Sequence, residues 1–231
     1  SRSVLRALPN EGFEREGADW ICRVTRGILQ ATEMEAEFEG VENAAALENR
    51  LWPLKLLDAG IPTYMISIEP AWAELLFEAR LTGETLFPRE LGLGLSREHV
   101  YYRSIAGLSI RSPGRILWYV KKGNHGHPEG HLRAVSQLAE VVRGHPKALY
   151  RRFSRLGAWS FAQVQQAAGE RGEAMALRVV DTELLATPLS LEELRAVYRE
   201  AGSAFHAPQA PIAVEEAMFG RLYARSSAYA E

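Results

Sequence analysis

The hydrophobic pattern of this chain becomes regular at residue 63, where it predicts a strand followed at once by a helix. Residues 63–68 form an almost continuous apolar and β-branched run, which is typical of a buried strand. Pro70 suits the first turn of a helix. The apolar side chains after it share one helical face, namely Trp72, Ala73, Leu76, Phe77 and Leu81. Gly83 is the predicted end of this helix.

Further along the chain, short strands and helices follow one another in an irregular order. The pattern predicts strands at residues 100–105, 115–120, 131–142 and 175–186. Pro146 opens a helix, Ser190 caps another that runs through residue 200, and residues 214–223 form a closing helix. Because strands and helices do not alternate regularly, a small mixed barrel is favoured over a doubly wound sheet. We therefore predict an α+β fold, a mixed pseudo-barrel flanked by helices.

The N-terminal residues carry a different pattern. Residues 12–24 predict two strands around a Gly-centred turn, which is a hairpin. Residues 32–39 alternate acidic and apolar side chains like a half-exposed strand, and residues 41–57 have helical spacing with Asn43 as a candidate cap. We predict two parts, a hairpin, acidic linker and helix in residues 1–60 and the barrel domain in residues 61–231.

The charge distribution adds a candidate binding surface. The chain has a net charge of -2, yet residues 101–156 hold eleven Lys and Arg against two acids. A basic centre between acidic flanks predicts one surface that attracts polyanions. The candidate contacts to a nucleic-acid backbone are Arg133, Lys147, Arg151, Arg152 and Arg155. The alternative interpretation of the same cations is a solvated helix face.

Aromatic and basic residues also alternate on two of the predicted strands. Alternation places Tyr119 and Lys121 on one face, together with Arg115. Tyr101 and Arg103 alternate in the same way on a neighbouring strand. Since rings between cations can stack a base and hold its backbone, we predict a base pocket formed by Tyr101, Arg103, Tyr119 and Lys121. The alternative is that the aromatic residues line the barrel interior, as could Trp72, Trp118 and Trp159.

Three segments resemble the PUA superfamily, nearest to its ASCH and EVE branches. They are SIEP-x-W at residues 67–72, RILWYV at residues 115–120 and MALRVVD at residues 175–181. The resemblance covers roughly residues 62–200. It implies a pseudo-barrel with a cleft beside the first helix, where relatives hold RNA or a modified nucleobase. Residues 82–87 depart from the basic segment that many ASCH sequences have there.

A second resemblance concerns the N-terminus. Asn10, Gly12-Phe13 and the strand after them resemble the closing segment of GCN5-related acetyltransferases, which implies a short remnant without the acetyltransferase core. Residues 89–94 match the pyrophosphate loop of that class. However, Pro88 precedes them and a predicted strand follows, whereas such a loop needs a strand before it and a helix after it. We therefore predict no coenzyme A site and no other cofactor.

Composition and spacing narrow the remaining possibilities. The single cysteine, Cys22, cannot form an intrachain disulfide, so a reducing cytoplasm is expected. No apolar run is long enough to span a bilayer, so no membrane partner is expected. Residues 125–131 contain three histidines among glycines and a proline, a pattern typical of a hairpin tip, and we predict no metal site.

The predicted function is binding of RNA or DNA, through a modified or unpaired base, with no catalytic residue assigned. One alternative is a small amidohydrolase of acylated nucleosides, for which the resemblance to ASCH hydrolases suggests Ser67, Glu69 and Lys121. Another is a regulatory domain of an acetyltransferase-like protein whose basic face binds an acidic protein. The sequence does not indicate which oligomeric state the protein adopts.

Overall fold

The computed structural model describes residues 14–17, 19–21, 27–33, 40–78, 97–123 and 129–227. The strands within these ranges are β1 Glu14–Glu16, β2 Asp19–Ile21, β3 Ile28–Gln30, β4 Lys55–Leu57, β5 Thr63–Ile68, β6 Glu98–Ser104, β7 Gly114–Val120, β8 His131–Gly144, β9 Ala174–Ser190 and β10 Ile212–Val214. The α-helices are α1 Gly40–Arg50, α2 Pro70–Ala73, α3 Pro146–Phe153, α4 Phe161–Ala168, α5 Leu191–Glu200 and α6 Glu216–Ser227.

A mixed six-stranded sheet forms the centre of the fold, in the order β10-β5-β7-β8-β9-β6. Strands β5 and β7 are parallel, and the other neighbours are antiparallel. Register shifts interrupt the β7–β8 ladder once and the β8–β9 ladder at three places. Such irregularities bend a strand and increase its twist, which allows the long strands β8 and β9 to curl the sheet into the pseudo-barrel that we predicted.

Alternation along the strands separates the barrel interior from two outer layers. Ile116 and Trp118 belong to the interior cluster, together with Ile66 and Ile68 of β5. Leu117 faces the other way, into a cluster that α5 and α6 cover. A third cluster lies outside the barrel between β6, β9 and helices α3 and α4, and it includes Val100, Tyr102, Leu149, Phe153, Val164 and Ala176. Two helix pairs therefore pack on different outer parts of the sheet.

Most elements predicted from the barrel segment are confirmed. The strands at 63–68, 100–105, 115–120, 131–142 and 175–186 correspond to β5 to β9 within a few residues. Pro70 opens α2, which continues as a π-helical turn over Glu74–Glu78, while Leu81 and Gly83 lie outside the described residues. Ser190 caps α5 through a capping box. Among the helices in the described ranges, none combines the length and apolar character needed to cross a membrane.

The N-terminal predictions are met in part. The predicted hairpin is present as β1 paired with β2 around Gly17. The predicted strand at 32–39 is wrong where it is described, since residues 31–33 form a 3-10 turn and residues 34–39 are outside the described ranges. Helix α1 begins at Gly40 and ends at Arg50, so Asn43 lies inside the helix and does not cap it. The acetyltransferase resemblance remains a prediction.

Buried ion pairs connect α1 and β4 to the barrel. The carboxylate of Glu48 on α1 forms an ion pair with the guanidinium of Arg115 on β7. The Glu48 side chain is 1% exposed and the Arg115 side chain is 0% exposed. Lys55 of β4 lies 2.9 Å from the carboxylate of Glu183 on β9, and both side chains are buried. The Tyr223 hydroxyl of α6 donates to the same carboxylate at 2.9 Å. Glu48 of α1 and Lys55 of β4 therefore make buried contacts with the barrel.

Candidate functional site

Aromatic side chains from four parts of the chain meet at one side of the barrel interior. Trp72 of α2 stacks on Trp159, with ring centroids 4.9 Å apart and planes at 29°. Tyr101 of β6 meets Trp159 edge to face at 5.6 Å and Trp118 of β7 at 5.3 Å. Tyr101 and Trp118 are buried, whereas the two stacked indoles are only partly buried. We call the group Trp72, Tyr101, Trp118 and Trp159 the aromatic cleft.

The segment between α3 and α4 carries Trp159 into the cleft. The carbonyl of Leu156 accepts a hydrogen bond from the Val100 N–H at 2.9 Å, which holds this segment against the outer edge of β6. A Cβ at Gly157 would lie 3.0 Å from the Tyr102 ring and 3.4 Å from the Val100 carbonyl, so the close approach needs glycine. Ser160 then caps α4 through a capping box with Gln163. Both ends of the segment are thus fixed.

Charged groups from β6, β7 and the start of α2 lie beside the aromatic cleft. Glu69 pairs with Lys121 at 2.7 Å, and both side chains are substantially exposed. Burial raises the pKa of Tyr101 to about 12, the Arg103 cation opposes that rise, and the Glu69 carboxylate adds to it. The Tyr101 hydroxyl therefore stays protonated at neutral pH and can donate or accept a hydrogen bond.

Arg103 has an unusual environment for a cation. Its guanidinium is half-buried, and burial lowers its pKa. Nη2 donates to the Ala106 carbonyl at 3.3 Å. Nη1 is buried and has no hydrogen-bond partner among the described residues, and the indole Nε1 of Trp159 is in the same situation. Because a buried polar group without a partner destabilises a fold by about 1–3 kcal/mol, these two donors indicate a place where a ligand can supply acceptors.

The structure brings together most, but not all, of the predicted base pocket. Tyr101, Arg103 and Lys121 lie around the aromatic cleft, Lys121 through its pair with Glu69. The placement of Tyr119 with them is wrong. Its ring is in the cluster under α5 and α6, 6.2 Å from Phe205, on the sheet face opposite Trp118. Alternation along β7 puts neighbouring residues on opposite faces, so Trp118 is the residue of β7 that contacts Tyr101.

The predicted backbone contacts divide in a similar way. Lys147 and Arg151 are exposed on α3, and Arg155 is exposed just after it. Arg152 is exposed as well but is bound to Glu140 at 2.6 Å, and Glu140 also pairs with Arg178. The position predicted for Arg133, beside the helix, is wrong. Arg133 is near the start of β8 and donates to the Leu185 carbonyl at 3.4 Å, whereas α3 follows the other end of that long strand.

Arg115 corrects the prediction of one continuous basic surface. Although it belongs to the basic stretch of the sequence, its side chain is fully buried and paired with Glu48. Arg115 and the paired Arg152 are therefore both removed from the predicted continuous surface, and the cations of α3 and the segment after it that have no described ion pair form a smaller patch. We define the basic patch as Lys147, Arg151 and Arg155. Since Arg155 precedes Trp159 by only a few residues, the patch and the cleft share one segment of chain.

The residues suggested for a hydrolase do not converge. Glu69 and Lys121 are paired at the cleft, but the Ser67 hydroxyl donates to the Pro208 carbonyl. Glu69 is the N-cap residue of α2, but its side chain makes no capping hydrogen bond. A serine nucleophile needs a base within hydrogen-bond reach, and Ser67 has a backbone carbonyl there instead. The described geometry therefore gives Ser67 a structural contact.

No metal-binding group of histidine, cysteine, aspartate and glutamate occurs within the described ranges. His125 and His127 of the histidine-rich loop lie outside those ranges, as do the predicted pyrophosphate-loop residues 89–94. His131 is described and is buried at the start of β8.

Sequence reasoning underestimated Trp72 and Trp159, which it treated as candidates for the barrel interior. Their partial exposure comes from contacts between distant elements, which no local pattern reports. A signal for the segment before α4 was nevertheless present, because Ser160 and Gln163 have the spacing of a capping box. The elements α4, β3 and β10 were missed, and β4 is a strand where the sequence predicted the end of the helix over residues 41–57.

Comparison with known proteins supports the fold. No protein-family model matches the chain, and no curated protein matches it. The crystal structure of a serine-to-alanine variant of the ASCH protein from Zymomonas mobilis aligns with 71% of this chain and 99% of its own, at 19% identity and a TM-score of 0.53. The unsubstituted ASCH protein covers 70% of this chain and 94% of its own, at 17% identity and a TM-score of 0.52.

A more distant structure is human THYN1 in complex with DNA containing 5-methylcytosine. It aligns with 73% of this chain at 8% identity, with a TM-score of 0.41, and at that score the likeness carries no inference. The similarity to the Zymomonas mobilis protein, together with the mixed six-stranded sheet and its flanking helices, shows that the chain has the PUA-like α+β fold of ASCH-domain proteins.

Proposed function

We propose that this protein binds single-stranded nucleic acid, holding one unpaired base in the aromatic cleft and the neighbouring phosphates on the basic patch. The observation that carries the proposal is the stacked, partly buried pair of Trp72 and Trp159. An exposed indole face is a stacking surface for any base, and each base stacked on an aromatic ring contributes about 1–3 kcal/mol.

The position of the basic patch supports the same function. Lys147 and Arg151 project from α3, and the chain continues through Arg155 to Trp159. A strand whose base enters the cleft would have its backbone close to these cations. Each phosphate neutralised on single-stranded nucleic acid changes the slope of log K against log salt by about -0.7, so three contacts predict a slope near about -2.

The test is fluorescence anisotropy of short labelled single-stranded RNA and DNA at low and physiological salt. We expect the triple variant K147A/R151A/R155A to bind more weakly and to lose most of the salt dependence. The matched control is the triple variant R195A/R199A/R221A, which removes the same charge from exposed positions on α5 and α6. Trp72→Ala should weaken binding at both salt concentrations by a similar factor, because stacking is not screened by salt.

Two results would refute the proposal. One is the absence of binding by the wild-type protein at low salt. The other is an equal loss of affinity in both triple variants, which would mean that overall charge, and not the basic patch, determines binding. Turnover of an acylated nucleoside without salt-dependent binding would instead favour the hydrolase alternative.

A further inference from the structure

We propose that the cleft selects bases with a keto oxygen over bases with an amino group, because its buried free donors, Arg103 Nη1 and Trp159 Nε1, require acceptors. This inference rests on the proposed function and specifies its ligand. It concerns the purine C6 and pyrimidine C4 substituents, where guanine, hypoxanthine and uracil carry oxygen while adenine and cytosine carry an amino group.

Arg103 is the stronger of the two donors. No ion pair of Arg103 with an acid is found among the described residues, and its one described hydrogen bond, to the Ala106 carbonyl, is long at 3.3 Å. That bond fixes Nη2 and leaves Nη1 buried without an acceptor. Since arginine does not lose its proton in proteins, the charge persists in the half-buried site. A ligand oxygen placed at Nη1 would therefore form a charge-assisted hydrogen bond, about twice as strong as a neutral one.

Trp159 adds a second requirement of the same kind. An indole N–H can only donate, and the Trp159 Nε1 is buried without a partner in the described part of the chain. Tyr102, whose ring centroid lies 5.9 Å from that of Trp159, has a buried hydroxyl that also lacks a described partner and could accept or donate. An amino group facing Arg103 or Trp159 would set donor against donor and leave both unsatisfied.

The described polar groups disfavour a phosphate at Nη1. A phosphate has several acceptor oxygens, whereas the buried donors without a described partner at the cleft are Arg103 Nη1 and Trp159 Nε1. The Glu69 carboxylate beside Tyr101 is paired with Lys121 at 2.7 Å, so charge alone does not select between a phosphate and a neutral carbonyl. The number of free donors does, because one carbonyl oxygen satisfies them without burying further acceptor oxygens that have no partner.

The test uses a short oligonucleotide in which only the central residue carries a base and the others are abasic. Four versions carry hypoxanthine, adenine, uracil or cytosine, so that each keto base is compared with its closest amino counterpart. Binding is measured by calorimetry. We expect the keto member of each pair to bind about tenfold tighter or more, because leaving a buried charged donor unpaired carries a large penalty.

Two variants separate this role from a structural one. Arg103→Met keeps an apolar stem of similar length and should remove the preference while keeping most of the affinity for the amino bases. Trp159→Phe keeps a stacking ring without the N–H and should reduce the preference partially. The control is Arg111→Met, which removes an exposed cation from the loop between β6 and β7. It should leave the preference for keto bases unchanged.

The outcomes are distinguishable from failure of the proposed function. Equal affinity for keto and amino bases in the wild-type protein, with the oligonucleotides still bound, would overturn the keto preference alone. A preference for amino bases would overturn it as well, and so would inorganic phosphate that competes in the wild-type protein but not in Arg103→Met. If no version binds at any salt concentration, both proposals fail.

Discussion

The ion pair of Glu48 and Arg115 offers the sharpest test of how this fold is held together. The Arg115 guanidinium donates to the Glu48 carboxylate through Nε at 2.9 Å and Nη2 at 2.5 Å. Glu48 also accepts from the Leu56 N–H at 2.9 Å, and the guanidinium lies 4.5 Å from the centre of the Phe219 ring. One buried contact thus joins α1, β4, β7 and α6.

Glu48→Gln removes the negative charge while preserving the shape and one acceptor oxygen of the side chain. Arg115 then remains as a buried cation without a counter-charge, and breaking a buried pair in this way costs about 3–5 kcal/mol. The total free energy of unfolding of a domain is about 5–15 kcal/mol. We therefore expect loss of roughly a fifth or more of the stability, seen as a fall of about 1–2.5 M in the urea midpoint if m is about 2–3 kcal/mol/M.

The assay is equilibrium urea unfolding followed by far-UV circular dichroism. Glu42→Gln, an exposed change in the first turn of the same helix, is the control and should alter stability by less than about 0.5 kcal/mol. The double variant Glu48→Met, Arg115→Met should recover much of the loss, since apolar side chains can replace a buried pair. A change below about 1 kcal/mol for Glu48→Gln would refute the reasoning, because it would show that water reaches the pair.

Two further predictions follow from packing and from tyrosine ionisation. Gly130→Ala should destabilise the protein by about 1–3 kcal/mol, because the new Cβ would lie 2.2 Å from the buried Tyr119 hydroxyl, whereas Gly144→Ala has open space and should be nearly neutral in thermal unfolding. Tyr101 has a folded-state pKa of about 12, above the value of 10.0 expected when unfolded, so the unfolded chain loses this proton first. Its contribution to stability should be intact below pH 10 and decline as the pH rises toward 12. Tyr101→Phe should reduce that decline in alkaline urea unfolding, and an unchanged slope would contradict the assignment.

The local features of the barrel could be predicted from sequence because they depend on near neighbours. The apolar run of residues 63–68 and Pro70 together specify β5 and the start of α2, and Ser190 with Glu193 specifies the start of α5. Each of these signals involves residues within one turn or one strand. The pseudo-barrel followed from their order along the chain and from the resemblance to ASCH sequences.

The candidate site was harder to predict because it depends on contacts between distant residues. Nothing local to Arg115 shows that Glu48 lies opposite it, so a core cation was counted with the surface charges. Alternation along β7 separates Trp118 from Tyr119 but does not say which of them faces Tyr101. The position of Trp159 depends on a segment that packs against β6 from another part of the chain.

That segment also has a consequence for how copies of the protein behave when crowded. In the described sheet β6 is an edge strand, and an uncovered edge is a template for pairing with a strand of another molecule. On that edge the Val100 N–H already donates to the Leu156 carbonyl, so it is not available to another strand. At the opposite edge, β10 is only three residues long and follows Pro211, which leaves little backbone for pairing. A substitution that displaced the segment, such as one at Gly157, would therefore expose a template for intermolecular strand pairing as well as opening the aromatic cleft.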